Sequence, residues 1–262
     1  MPSSVFCVES TSGDENVSGT CACWPPAWAD ELTACEGSPV NVTVLYETLC
    51  PDSVAFITEQ LYPAVQQYST ADVIVDFVPF GKADYTVHPD GSITFTCQHG
   101  PEECEGNKVH ACAVYHLYYD HVVRLDFVQC AMKEVRPDLA GPECAKQLGL
   151  NYRPVEECVS GQLGTDILAF FGDRTRSLEP QLTFIPSVII DGVFDPDVQQ
   201  ESLRNFRLVL DQRVRAKRGS PDFNMWDYSS YYNCLNYYYD YYYYGNYLGG
   251  DQGTSYCGGY SC

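Results

Sequence analysis

Cys50-Pro51-Asp52-Ser53 stands between an apolar, β-branched run, Val40-Asn41-Val42-Thr43-Val44-Leu45-Tyr46, and a segment in which Val54, Phe56, Ile57, Leu61 and Val65 recur at helical spacing. A cysteine where a strand gives way to a helix lies beside free backbone amides and the positive end of the helix dipole, which stabilise a thiolate over a thiol. Pro51 suits the first helical turn, where its missing amide is not needed. Cys50 is therefore the candidate nucleophile for thiol/disulfide exchange. A dithiol centre works in two steps: one thiolate attacks a substrate disulfide, and a second cysteine resolves the mixed disulfide. Here Ser53 occupies the second position. Its hydroxyl can hydrogen-bond the Cys50 sulfur or nearby backbone, but it cannot form a disulfide. Resolution then falls to a substrate thiol, a small-molecule thiol or another cysteine of the chain. The plainer reading makes Cys50 half of an ordinary structural disulfide.

Ile185-Pro186 precedes the apolar run Val188-Ile189-Ile190. A proline there cannot donate to a sheet ladder, so a special peptide geometry, with the backbone of Ile185 offered to an extended substrate segment, is expected over the plainer reading of a strand-entry proline, and the sequence does not distinguish cis from trans. A second cluster comprises Cys97, Gln98, His99, Gly100, Cys104, Asn107 and Cys112. Cys97, His99, Cys104 and Cys112 are of zinc-ligating types, but they lack a close Cys-x-x-Cys knuckle. Disulfides stapling helices to the sheet fit better, with His99 a structural hydrogen-bonding residue. No metal and no cofactor are expected. His110, His116 and His121 lack the i, i+4 spacing of helical metal ligands and read as surface or core residues. Glu47 is either a proton-transfer group near Cys50 or an ordinary polar residue at a strand end.

These residues need elements to hold them. Val40–Tyr46 predicts a strand, the segment after Pro51 a helix, and Val73-Ile74-Val75-Asp76-Phe77-Val78 a buried parallel strand, together a βαβ unit. Tyr85-Thr86-Val87 and Ser92-Ile93-Thr94-Phe95-Thr96 flank Pro89-Asp90-Gly91, which predicts a hairpin. Residues 108–172 carry helical patterns broken at Pro137, Gly141-Pro142 and Pro154, with Cys130, Cys144 and Cys158 available to tie the helices together. Leu182 to Phe194 reads as loop, strand, turn and short strand, and a helix over 197–214 closes the domain. The organisation expected is an extension over residues 1–38 with four cysteines, an α/β domain over 39–216 and a tyrosine-rich, low-complexity tail over 217–262.

Fourteen cysteines in 262 residues far exceed what a reducing cytosol tolerates as bystanders, so an oxidising compartment is expected. The sequons at Asn16 and Asn41 agree, as candidate glycosylation sites. Met1–Ser10 has neither the basic start nor the apolar run of a signal peptide, so the sequence reads as truncated or processed. No apolar stretch is long enough for a membrane span, and a formal net charge of −20 argues against nucleic acid and anionic membranes. Arg213-Val214-Arg215-Ala216-Lys217-Arg218 reads either as a convertase processing site or as a basic helix end.

The run Cys97-Gln98-His99-Gly100-Pro101-Glu102-Glu103-Cys104-Glu105-Gly106-Asn107-Lys108-Val109-His110-Ala111-Cys112 resembles the signature of the gamma-interferon-inducible lysosomal thiol reductase (GILT) family. Tyr46-Glu47-Thr48-Leu49-Cys50-Pro51, Val78-Pro79-Phe80-Gly81-Lys82-Ala83 and Ile185-Pro186-Ser187-Val188 resemble further parts of it in the same order. The resemblance implies a thioredoxin-like fold with a disulfide-stapled helical insertion, in which a cis proline faces the active cysteine. It also implies an enzyme that reduces protein disulfides in the lysosomal or endosomal lumen or outside the cell, assisted by a small-molecule thiol. The family's first catalytic cysteine carries over to Cys50, whereas its second is replaced by Ser53. The competing expectation is a weakened, binding or structural protein on the same fold.

Overall fold

The computed structural model describes residues 38–218 and, separately, a short antiparallel pair, β1 (Phe6–Cys7) with β2 (Cys23–Trp24). Asn16, the side chains of Cys7, Cys21, Cys23 and Cys35, and everything beyond Arg218 lie outside the described residues.

β3 (Val40–Tyr46) is the central strand of a three-stranded sheet. Val40, Val42, Val44 and Tyr46 are fully buried along it, as an alternating β-branched strand packed on a core requires. β4 (Val73–Pro79) pairs with it in parallel, Val40 opposite Val73. A parallel neighbour needs a crossover. α1 (Pro51–Ala55), a π-helical stretch over Phe56–Leu61 and α2 (Tyr62–Val65) supply it as consecutive segments. Phe56, Ile57 and Leu61 face inward, and the Phe56 ring meets Phe206 edge-on at 5.5 Å.

After β4, β5 (Asp84–Val87) and β6 (Ile93–Thr96) form the expected hairpin, with Gly91 at φ +82° in its turn. The insertion follows as α3 (Pro101–His116), α4 (His121–Lys133), α5 (Gly141–Gln147), α6 (Arg153–Ser160) and α7 (Gln162–Arg176). α3 starts ahead of the expected Lys108. Gly100 takes φ +94° before it, Pro101 fills the first turn, and Glu102 and Glu103 sit at its positive end. Cys112–Cys158 joins α3 to α6, and Cys130–Cys144 joins α4 to α5. Cys97–Cys104 joins the end of β6 to the first turn of α3.

β7 (Ser187–Ile190) then runs antiparallel to the other edge of β3. The second short strand expected at Val193-Phe194 is reduced to one bridge, Ile190 to Val193, across a turn in which Asp191 and Gly192 both have positive φ. α8 (Pro196–Arg218) covers the sheet but breaks at Asn205, which leaves the helical region at φ −153°. The Asn205 side chain there accepts from the Leu208 amide at 3.2 Å, while Gln60 accepts from Phe206 at 3.3 Å. A βαβ unit, a helical insertion, then an antiparallel strand, a turn and a helix, with strand order β4-β3-β7, is a thioredoxin-like α/β fold. Among the described residues no helix is long and apolar enough to cross a membrane.

Candidate active site

Cys50 caps α1 in an extended conformation, and the Val54 amide donates to its carbonyl at 3.0 Å. It is 8% exposed and, among the described residues, is the cysteine left outside a disulfide. Six of the remaining cysteines form the three disulfides, so the zinc alternative at Cys97, Cys104 and Cys112 is closed. Ser53 is fully buried, and its Oγ accepts from the Glu47 amide at 3.4 Å. Its hydrogen bond is thus to the end of β3 rather than to the Cys50 sulfur, because the helix turns position 53 inward.

The signature residues converge on the three residues before Cys50. Asn107, fully buried on α3, accepts at Oδ1 from both the amide and the hydroxyl of Thr48, each at 3.0 Å. The same hydroxyl lies 3.3 Å from the Glu103 carbonyl. Gly106 lets the helix approach this closely, since a Cβ there would fall 2.4 Å from Thr48 Oγ1. Thr48, Glu103 and Gly106 entered the sequence reading only as members of motif runs, with no role of their own. The available signals were a glycine inside a helical pattern and an acidic residue three positions after the Gly100 cap.

A carboxylate pair lies beside this clasp. Glu47 and Glu103 are both fully buried, and His99 bridges them from the surface. His99 Nδ1 is 2.5 Å from Glu103 Oε2 and 3.6 Å from Glu47 Oε2, and the His99 amide donates to Glu103 Oε1 at 3.1 Å. Glu47 Oε1 accepts from the Lys82 amide at 2.6 Å, while Oε2 lacks a hydrogen-bond partner. Gly81, at φ +60°, makes room, because a Cβ there would strike the Glu47 side chain at 2.4 Å. Burial first, then the facing Glu103 carboxylate, push Glu47 up to about 7, against the pull of the Lys82 amide and His99. The three side chains bring ligand-type atoms within 4.8 Å of one another. A cation there would have to displace the His99–Glu103 hydrogen bond.

Ile185-Pro186 is a cis peptide. The β3–β7 register puts Leu45 opposite Ser187, so Pro186 falls level with Tyr46, at the end of the sheet from which Cys50 follows. Gln199 on α8 fixes this loop, donating to the Pro186 carbonyl at 2.8 Å and accepting from the Val188 amide at 2.7 Å. Sequence gave no hint of Gln199. The Ile185 side chain is buried, and among the described residues no backbone hydrogen bond engages its amide or carbonyl.

The other candidates sit apart from this chemistry. Gln98 is exposed on the loop closed by Cys97–Cys104. Asn41 lies within the central strand with Oδ1 buried, a poor seat for a glycan. His110 is a core residue whose Nδ1 is 2.8 Å from the Tyr46 hydroxyl, and burial lowers it to about 3. His116 is exposed, and His121 contacts Arg124 at 2.5 Å.

A family model described as gamma interferon inducible lysosomal thiol reductase (GILT) matches residues 41–148, a span that holds both Cys50 and the α3 clasp. GILT-like protein 1 of Drosophila melanogaster is 37% identical over 197 residues, covering 70% of this chain and 78% of that protein. The chain belongs to the GILT family. A gamma-interferon-inducible lysosomal thiol reductase-like protein of Anopheles gambiae is also 37% identical to this GILT chain, over 185 residues that cover 66% of it and 76% of the mosquito protein. Among solved structures, DsbA of Chlamydia trachomatis overlaps 71% of the GILT chain and 89% of its own length at 14% identity, with a TM-score of 0.46. The strand order, not that overlap, carries the fold assignment.

Proposed function

We propose that this GILT-family chain is a thiol/disulfide oxidoreductase in which Cys50 is a single attacking thiol. The Cys50 thiolate attacks one sulfur of a protein disulfide. A Cys50–substrate disulfide forms, and the other substrate sulfur leaves as a thiolate and takes up a proton. A second thiolate, from the substrate or from a small-molecule thiol, then attacks the mixed disulfide and releases Cys50. Ser53 cannot carry out that second step, so reduction depends on an outside thiol, and isomerisation of substrate disulfides follows from the same chemistry. The observation that carries this reading is a free cysteine capping the helix of a thioredoxin-like βαβ unit, with other described cysteines paired. The Ile185 backbone, engaged in no backbone hydrogen bond among the described residues, is the group that would pair with an extended substrate segment beside Pro186.

The setting is an oxidising lumen, lysosomal, endosomal or extracellular, as the cysteine count favours. The domain of residues 39–216 carries the chemistry, flanked by the extension of residues 1–38 and the tail of residues 217–262. The test is trapping. Incubating the full chain with a disulfide-bonded protein at acidic pH, then blocking free thiols, should leave a covalent adduct mapped by mass spectrometry to Cys50 and missing from Cys50→Ala. An adduct absent at every pH, or Cys50 already quantitatively paired in the native protein, rules this function out.

A further inference from the structure

The three disulfides differ in what reaches them. Cys112 and Cys158 are both buried between α3 and α6, whereas Cys130–Cys144 is mixed, with Cys144 buried on α5 and Cys130 half-buried on α4. Cys97 and Cys104 are each only half-buried, and both line a cavity of about 460 Å³ walled by Ile93–Thr96 on one side and by Gly100, Pro101, Glu105 and Lys108 on the other. We propose that the Cys97–Cys104 disulfide is a second thiol-exchange site of this protein, taking a small amino-acid thiol from this cavity.

Three features support the assignment. Reaching this disulfide separates no packed helices, whereas thiol access to Cys112–Cys158 requires α3 and α6 to part. The volume is that of a small-molecule site rather than of a protein interface. Its charged wall is Glu105 and Lys108, three residues apart on α3, and among the described residues neither is held in an ion pair. An ammonium and an α-carboxylate on one small thiol match that pair.

The helix also sets the direction of exchange. Cys104 sits in the first turn of α3, with Lys108 one turn further on, so a thiolate is better accommodated there than at Cys97. An incoming thiolate attacks Cys97 Sγ. The new bond joins the small thiol to Cys97, the Cys97–Cys104 bond breaks, and its electron pair leaves on Cys104. A second small thiol attacking the bound one releases the oxidised small disulfide and leaves Cys97 and Cys104 both reduced. Two small thiols are thus oxidised for each protein disulfide reduced.

The experiment uses the full chain carrying Cys50→Ala, so its outcome does not depend on Cys50 chemistry. The protein is titrated with L-cysteine, or with cysteamine, which lacks the carboxylate. It is then quenched with an alkylating agent and mapped residue by residue. The expected result is opening of Cys97–Cys104 at about ten-fold lower thiol concentration than the buried Cys112–Cys158, as accessible disulfides are the more readily reduced. A cysteinyl adduct on Cys97 and alkylation on Cys104 should accompany it. L-cysteine should react faster than cysteamine, and Lys108→Met should abolish that advantage while Cys112–Cys158 stays closed. Opening no earlier than Cys112–Cys158, an adduct confined to Cys104, or equal rates for the two thiols in the protein that keeps Lys108 overturns the proposal.

Discussion

Position 53 separates this chain from a self-sufficient dithiol centre by one atom, the oxygen that stands where a sulfur would be. That oxygen is occupied: buried on the first turn of α1, it accepts from the Glu47 amide. Ser53→Cys keeps the size and the inward direction but exchanges a hydroxyl acceptor for a weak sulfur one, a loss of about 0.5–1.5 kcal/mol. In return it puts a resolving thiol one helical turn from Cys50. The lifetime of a trapped Cys50–substrate disulfide should then fall by on the order of a hundred-fold, since the second attack becomes intramolecular. Following adduct decay after removal of free thiol measures this, and an unchanged lifetime would mean that a sulfur at position 53 cannot reach the mixed disulfide.

At the scale of elements, the signature is a docking device as much as a staple. α3 holds the Glu47-Thr48-Leu49 approach to Cys50 through Asn107, Glu103 and the gap at Gly106. Asn107→Ala leaves the buried Thr48 amide without its acceptor and should cost about 1–3 kcal/mol in urea unfolding. It should also alter the alkylation rate of Cys50, which a substitution remote from the clasp would not do. The helical insertion is held by disulfides of unequal reach, 46 residues for Cys112–Cys158 and 14 for Cys130–Cys144. If they act by restricting the unfolded chain, replacing the first pair by alanine should cost about 4 kcal/mol and the second about 3 kcal/mol. Denaturant midpoints of the two double variants test that order. The helices of the insertion were legible from their periodicity and prolines. The start of α3 was not, because the Cys-Gln-His-Gly run has no apolar period and Gly100 at positive φ acts as its cap only in three dimensions.

For the molecule as a whole, buried titratable groups pull stability in opposite directions with pH. Glu47, raised from 4.5 to about 7, binds its proton more tightly when folded, so it stabilises the fold most below pH 4.5 and this contribution is lost as pH rises through about 7. His110 and His121, lowered from 6.5 to about 3 and about 4 by burial, stay neutral when folded, so they favour the fold above 6.5 and cost stability as pH falls through that range. Two histidines outweigh one carboxyl, so the wild-type protein should lose stability on acidification below about pH 6.5, with Glu47 offsetting part of the loss. Glu47→Gln, which can still accept from the Lys82 amide, should remove that offset and make the loss of stability on acidification steeper than in the wild type. Chemical denaturation at neutral and acidic pH checks this, and parallel wild-type and variant curves would contradict it. The sequence by itself determined the βαβ unit and the cysteine at its helix start, because β-branched alternation, helical period and a proline after Cys50 are local signals, while the resemblance to the GILT family rested on the motif run from Cys97 to Cys112. It also bounded the redox logic, since a serine cannot resolve a disulfide. Only the tertiary structure decided which cysteines pair, that Ser53 turns to Glu47, and that Glu47, His99 and Glu103 meet. Those outcomes depend on how separate elements dock, which local spacing does not encode for partners as near as Cys97 and Cys104, seven positions apart, or as far as Cys112 and Cys158, 46 apart.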